Sequence, residues 1–227
     1  MKTIRLENIK KQYGVGQATV MAIQDINVEI QSGEFVAIMG ESGSGKSTLL
    51  SLLGALNTPT SGRYWVDSLD VYALDQDRRA DFRRENLGFV FQSFHLVPYL
   101  SVLENVMLPM TIKKIPRKKK QELARQALAR IGLEQKGDRL PNQLSGGEQE
   151  RVAIARAVVN DPPILLADEP TGNLDSRNSR EVMELLQSLN GRGITVIMVT
   201  HSPEWSGYAN RILWISDGFL SRIDRNN

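Results

Sequence analysis

Gly40-Glu41-Ser42-Gly43-Ser44-Gly45-Lys46-Ser47, followed by Thr48, satisfies G-x-x-x-x-G-K-[ST] throughout. It stands between an apolar run, residues 35–39, that reads as a buried strand, and an apolar stretch, residues 49–56, that reads as a helix. Strand, glycine loop and helix in that order are what phosphate binding needs. The three glycines let backbone N–H groups turn inward around phosphate oxygens, and the helix adds the positive end of its dipole. Lys46 is placed to reach β and γ phosphates and the Ser47 hydroxyl to ligate Mg²⁺. A Gly/Ser turn that merely carries a lysine does not account for the strand and helix on its two sides.

The 227 residues, 41% of them apolar, suffice for one substantial domain or a core plus a subdomain. Without cysteine, neither a disulfide framework nor a thiolate metal site is available. Charges interrupt residues 1–7, where a signal peptide would need an apolar core, and no stretch approaches the roughly 18 apolar residues of a membrane span. The expectation is a cytosolic chain. Its net charge of +2 is uneven: residues 113–130 hold eight Lys or Arg against Glu122 alone, a local +7 that leaves −5 for the remainder. That balance argues for one basic surface and against a general nucleic-acid binder.

Outward from the glycine loop, Ile4 and Leu6, then Ile26, Val28 and Ile30, alternate as half-buried antiparallel strands. Between them Tyr13-Gly14-Val15-Gly16 reads as a turn presenting an aromatic, either packed in the core or stacked on a base. Residues 59–62 read as a turn, 63–66 as a short strand and 75–85 as a charged helix or loop. Residues 87–91 are a short apolar strand ending in Gln92, an amide able to ligate Mg²⁺ or position water beside a phosphate site.

Residues 93–160 contain no long apolar strand and read as a helical insertion. Ser101 and Glu104 have capping-box spacing, and Pro116 introduces a basic helix with an apolar face of Leu123, Ala127, Leu128 and Ile131, ended by Gly132. Lys118, Lys119 and Lys120 read as a solvated face, with anionic lipid as the alternative. Leu144-Ser145-Gly146-Gly147-Glu148 opens another helix with a capping box and two bare glycine N–H groups, a second anion-binding helix start in one chain. A compact strand, residues 164–167, delivers Asp168 and Glu169 to its C-terminal end, where open α/β sheets bind ligands. One carboxylate there can hold Mg²⁺ while its neighbour orients or deprotonates water. After a helix over 176–189, residues 195–200 form a strand ending at His201, a candidate γ-phosphate contact, and 211–215 with 219–223 close the chain as a hairpin.

In this order, the motifs resemble the ATP-binding-cassette ATPases over essentially the whole chain. The resemblance implies an α/β P-loop NTPase (RecA-like) core with an N-terminal antiparallel β subdomain and an inserted α-helical subdomain carrying the signature motif. On that basis residues 1–92 and 161–227 are expected to form the nucleotide-binding core with its β subdomain, and 93–160 the helical subdomain, of a single ATPase domain, 1–227. It further implies Gly40, Glu41, Ser42, Gly43, Ser44, Gly45, Lys46, Ser47 and Thr48 as the Walker A loop, Gln92 as the Q-loop glutamine, and Ser145, Gly146, Gly147 and Glu148 as the signature. Asp168 then matches the Walker B aspartate, Glu169 the catalytic glutamate, Asp175 the D-loop aspartate, His201 the switch histidine and Tyr13 the adenine-stacking aromatic. Ser47, Gln92 and Asp168 would hold Mg²⁺ beside ATP.

Gly88-Phe89-Val90-Phe91-Gln92 and Asp168-Glu169-Pro170-Thr171-Gly172-Asn173-Leu174-Asp175 are similar to the MacB, LolD and FtsE branch, with Glu148 in place of the commonest signature glutamine and Ser202 where an aspartate is usual. The implied function is an ATPase subunit that dimerises head to tail on ATP and drives a separate integral membrane permease in export, lipoprotein release or mechanotransmission. Through the permease it would engage a periplasmic or extracellular adaptor, from the cytoplasmic face of the inner membrane and without nucleic acid. A cell-division role of the FtsE kind is the alternative within the branch. A chromosome-maintenance or repair ATPase shares the phosphate loop and signature, but resembles proteins with long coiled coils or zinc modules, and here there are neither sustained heptads nor cysteines.

Overall fold

The unbroken apolar run of β3 (Phe35–Met39) is buried at every position because both faces of its sheet are covered. Val36 and Ile38 point into one core while Phe35, Ala37 and Met39 point into another, the two-residue period of a strand between two layers. The computed structural model describes residues 2–14 and 16–226. Val15, within the turn expected after Tyr13, and the terminal residues Met1 and Asn227 lie outside the described residues.

In chain order the elements are β1 (Ile4–Tyr13), β2 (Val20–Ile30), β3, α1 (Lys46–Leu53), β4 (Ser61–Val66), β5 (Leu69–Asp70), α2 (Gln76–Asn86) and β6 (Leu87–Phe91). They continue as α3 (Val102–Met107), α4 (Arg117–Arg130), α5 (Gly146–Val158), β7 (Ile164–Asp168), α6 (Ser176–Asn190), β8 (Thr195–Val199), α7 (Pro203–Ser206), β9 (Arg211–Ser216) and β10 (Phe219–Arg225). A six-stranded sheet runs β10-β9-β3-β8-β7-β6, parallel except for the closing hairpin of β9 and β10. An antiparallel sheet, β2-β1-β4-β5, packs with one face of it through Ile4, Leu6, Ile30 and Tyr64 and the apolar face of α1.

Several boundaries differ from the sequence reading for physical reasons. β1 runs past the alternation of Ile4 and Leu6 and continues through register shifts to Tyr13, so the aromatic ends a strand instead of sitting in the turn. α1 starts at Lys46, three residues earlier than its apolar pattern, because Gly45 in the left-handed region (φ 107) redirects the chain. It ends at Leu53 instead of residue 56, where Gly54 lies against the Phe89 ring; a Cβ on Gly54 would come within 2.6 Å of it. β4 takes in Ser61 and Gly62, expected in the turn. Asp75 accepts from Arg78 N at 2.8 Å and caps α2, so the charged segment is a helix.

Between β6 and β7 the described residues are helical or irregular, and α3, α4 and α5 enclose a core of their own around Val102, Val106, Leu128 and Val152. α5 belongs to two cores: Ile154 and Val158 pack toward the sheet, while Val152, Ala155 and Val159 at its end pack toward α3 and α4. Its N-terminal glycines are therefore presented by a helix held from both sides.

Candidate functional site: a phosphate cradle at the C-terminal edge of the sheet

The parallel registers align Phe91 with Asp168, Asp168 with Val199, and Val199 with Ile38. The residues that follow these strand ends, Gln92, Glu169, Thr200 with His201, and the loop from Gly40, therefore emerge along one edge. A cleft of about 480 Å³ opens there. Ser42, Gly43, Gly45, Lys46, Ser47 and Thr48 form its floor, and Ala22, Glu169 and His201 its walls.

The loop is built so that only glycine fits at two points. Gly40 (φ 151) would put a Cβ 2.0 Å from Ile215 O, and Gly45 (φ 107) would put one 2.4 Å from Ala22 O. Lys46 is buried and curls back over its own loop, donating to Gly40 O at 2.9 Å and Glu41 O at 2.6 Å. Its ammonium is thus held over the cradle, where an incoming phosphate can compete for it. Buried Ser44 Oγ lacks a hydrogen-bond partner, an orphan polar atom that suits a loop shaped to take phosphate oxygens.

Ser47 Oγ donates to Asp168 Oδ1 at 3.3 Å, joining the start of α1 to the end of β7. Burial raises the Asp168 carboxyl above its usual range, against the Ser47 hydrogen bond and the Lys46 charge, which lower it, and with the Glu169 charge, which raises it. A cation bound there would reverse that balance. A hydroxyl and one carboxylate suit a hard ion that completes its shell with phosphate oxygens and water. Among the described residues no group of three or more His, Cys, Asp and Glu forms an all-protein cage.

Glu169 sits at φ 47, a left-handed backbone that turns its side chain toward the cleft wall, and its N–H donates to Val199 O at 2.9 Å. His201 Nδ1 lies 3.3 Å from Glu169 Oε2, and its side chain is 67% exposed against 23% for the glutamate. A carboxylate with an imidazole beside it, facing a phosphate cradle, can orient a water and hold the terminal phosphate from the far side.

Other residues read from the sequence lie elsewhere. Gln92 does not line the cleft: its Nε2 lies 2.8 Å from where a Cβ of Gly172 would be, and its carbonyl accepts from Asn173 Nδ2 at 2.8 Å. It is thereby tied to the loop that follows Glu169. Arg156 of α5 donates to His95 O and, at 2.7 Å, to Phe94 O, fastening the segment after Gln92 to the signature helix. Tyr13 is exposed, accepts from Asn57 Nδ2 at 2.6 Å, and carries Lys11 Nζ 4.9 Å from its ring centroid.

Ser145, Gly146, Gly147 and Glu148 are not among the residues lining the cleft. Both halves of their capping box form: Glu148 N donates to Ser145 Oγ at 3.3 Å and Ser145 N to Glu148 Oε2 at 3.1 Å. Lys136 Nζ donates to Glu148 Oε1, and this bond, more than any other contact, holds the Glu148 carboxyl below its ordinary range. Asp175 caps α6, accepting from Asn178 N at 2.9 Å and Nδ2 at 2.6 Å, which lowers its carboxyl as well. A Cβ on Gly147 would come 2.1 Å from Asn178 Oδ1, so Asn178 links Asp175 to the signature within the chain.

The sequence reading missed Ala22, Lys11, Asn57, Lys136 and Asn178. Only Asn178, three residues after a capping Asp175, carries a local signal.

An ABC transporter family model matches residues 23–172. The chain belongs to the ABC transporter family, as its ATP-binding subunit, and it is an ATPase with an α/β P-loop NTPase fold. It is 45% identical over 224 residues to the ABC transporter ATP-binding protein YvrO of Bacillus subtilis (strain 168), covering 99% of this chain and 98% of that one. It is 49% identical over 215 residues to the macrolide export ATP-binding/permease protein MacB of Salmonella typhimurium (strain LT2), covering 95% of this chain and 33% of that protein. Among solved structures it is similar to a dimeric post-hydrolysis state of the ATP-binding cassette MJ0796 bound to ADP and Pi, with TM-score 0.91 and 42% identity over 99% of both chains.

Proposed function

We propose that two copies of this chain close around two ATP molecules and that hydrolysis reopens them, driving a separate membrane permease of the MacB-like branch. The observation that carries this is the placement of the two anion-binding helix starts: Lys46 and Ser47 line the cleft, whereas Ser145 to Gly147 do not. A two-fold dimer lets each copy's α5 start complete the other's cleft, so ATP acts as the adhesive and ADP, lacking the γ-phosphate, releases it. MJ0796, similar in fold over almost its whole length, is itself dimeric.

Within each cleft the Walker A backbone and Lys46 hold the β and γ phosphates, Glu169 orients the attacking water, and His201 contacts the γ-phosphate. Ser47 and Asp168 would hold Mg²⁺, which would neutralise charge on the phosphate oxygens, and Gln92, outside the cleft in this structure, would join them only as the site closes. Tyr13 stacks on adenine, steadied by Asn57 and Lys11. Asp175 positions the signature through Asn178.

No helix among the described residues is long and apolar enough to cross a membrane. MacB by its name unites ATP-binding and permease parts in a chain of which this protein spans a third. The permease here would seat a cytoplasmic segment in the apolar groove of about 550 Å³ between β6 and the end of α3, lined by Leu87, Phe89, Phe91, Leu108 and Ile112. On this reading the protein works at the cytoplasmic face of the membrane. The test is sedimentation with nucleotide: a monomer without ATP, a dimer for Glu169→Gln with ATP, and a monomer again when Ser145→Arg is added. Hydrolysis by Ser145→Arg at the parental rate, independent of protein concentration, would overturn the shared site.

A further inference from the structure

Glu148 sets an electrostatic problem. α5 offers Gly146 and Gly147 at its start, yet the acid in its first turn places a carboxylate beside them. A helix start attracts anions through its dipole and unpaired N–H groups, and a fixed negative charge on the first turn works against a second, incoming anion. The carboxylate cannot swing away, because its Oε2 accepts from Ser145 N at 3.1 Å and its side chain is only 18% exposed. The same capping box uses Ser145 Oγ as an acceptor for Glu148 N, which leaves the hydroxyl hydrogen free to donate outward.

Lys136 answers that charge. It comes from the 3-10 turn Glu134–Lys136 after α4, whose backbone is fixed by Lys136 N to Leu133 O at 3.0 Å and Arg139 N to Lys136 O at 3.1 Å. Its Nζ bonds the Glu148 oxygen left free by the capping box. The next cation along the helix, Arg151, is engaged with Glu181 of α6 at 2.5 Å.

We propose that Lys136 is a positioning residue for ATP-driven closure: by pairing with Glu148 it fixes the capping box that aims Ser145 and cancels the carboxylate charge where the γ-phosphate held by a second copy arrives. The inference rests on the shared-site reading above. With a glutamine at 148 the helix start would carry no such charge, so the lysine is required because this chain has glutamate there.

The experiment measures ATP-dependent dimerisation in the Glu169→Gln background by analytical ultracentrifugation, and kcat and KM without that substitution. Lys136→Met should weaken ATP-dependent dimerisation and raise KM by about tenfold, the scale of one uncompensated charge near a partly screened anion, with thermal stability little changed. The loss should shrink as salt rises. Lys136→Arg should restore closure, and so should adding Glu148→Gln to Lys136→Met, since that removes the charge needing compensation. Parental dimerisation by Lys136→Met, or no recovery in the double variant, overturns the proposal. If Glu169→Gln itself fails to dimerise with ATP, the shared-site reading has failed instead, so the two failures are distinguishable.

Discussion

Glu150→Gln should make this protein more stable at neutral pH, and by a margin that grows with pH. Glu150 lies on α5 with 0% exposure, and neither carboxyl oxygen has a hydrogen-bond partner. Burial pushes its carboxyl up to about 8 from an ordinary 4.5, with the Arg156 charge opposing the rise. A folded-state value above the unfolded one means the native protein keeps a proton that the unfolded chain has released. Its contribution is therefore fully present below about 4.5 and is lost as pH climbs through about 8. Between those limits each pH unit removes about 1.4 kcal/mol, and with the slope tapering near both ends about 3.5 kcal/mol disappears between pH 5 and pH 8. Glutamine, neutral throughout, keeps the shape and drops the titration. Urea unfolding of parent and variant across that range should give curves that meet near pH 5 and diverge by about 3.5 kcal/mol at pH 8, about 7–14 °C in Tm for a domain of this size. Parallel curves would refute a protonated buried carboxyl at this position.

Lys46→Ala should weaken binding of a fluorescent ATP analogue at least about tenfold, because the ammonium over the cradle is lost, whereas Glu169→Gln should retain binding and lose nearly all turnover. Gly147→Ala should cost about 1–3 kcal/mol of stability by driving a methyl into Asn178, and adding Asn178→Ala should recover part of it on denaturant titration. Replacing Lys118, Lys119 and Lys120 by glutamine should leave the ATPase rate of the isolated protein within about twofold, since Lys118 and Lys119 are exposed, half-buried Lys120 bonds only Thr111 O, and none of the three lines the cleft. A large loss in a folded variant would place α4 in the hydrolytic cycle.

Sequence alone determined the phosphate loop, the buried parallel strands and the acids and amides at their ends, because each is a local pattern: an apolar run of fixed period, a glycine that must turn, a capping side chain three residues ahead of its partner. It also marked Glu148 as unusual, without saying what answers its charge. Tertiary structure decided what those patterns meet. Ala22 reaches the cleft only because β2 brings it against Gly45, Lys136 finds Glu148 across the packing of α4 on α5, and Asn178 ties Asp175 to Gly147 between two helices. Glu150, in the polar run Glu148-Gln149-Glu150-Arg151, reads as a solvent face from its neighbours and is buried because α5 is wrapped by two cores at once. Pairings of this kind depend on strand register and helix crossing over long stretches of chain. No short window of sequence encodes them.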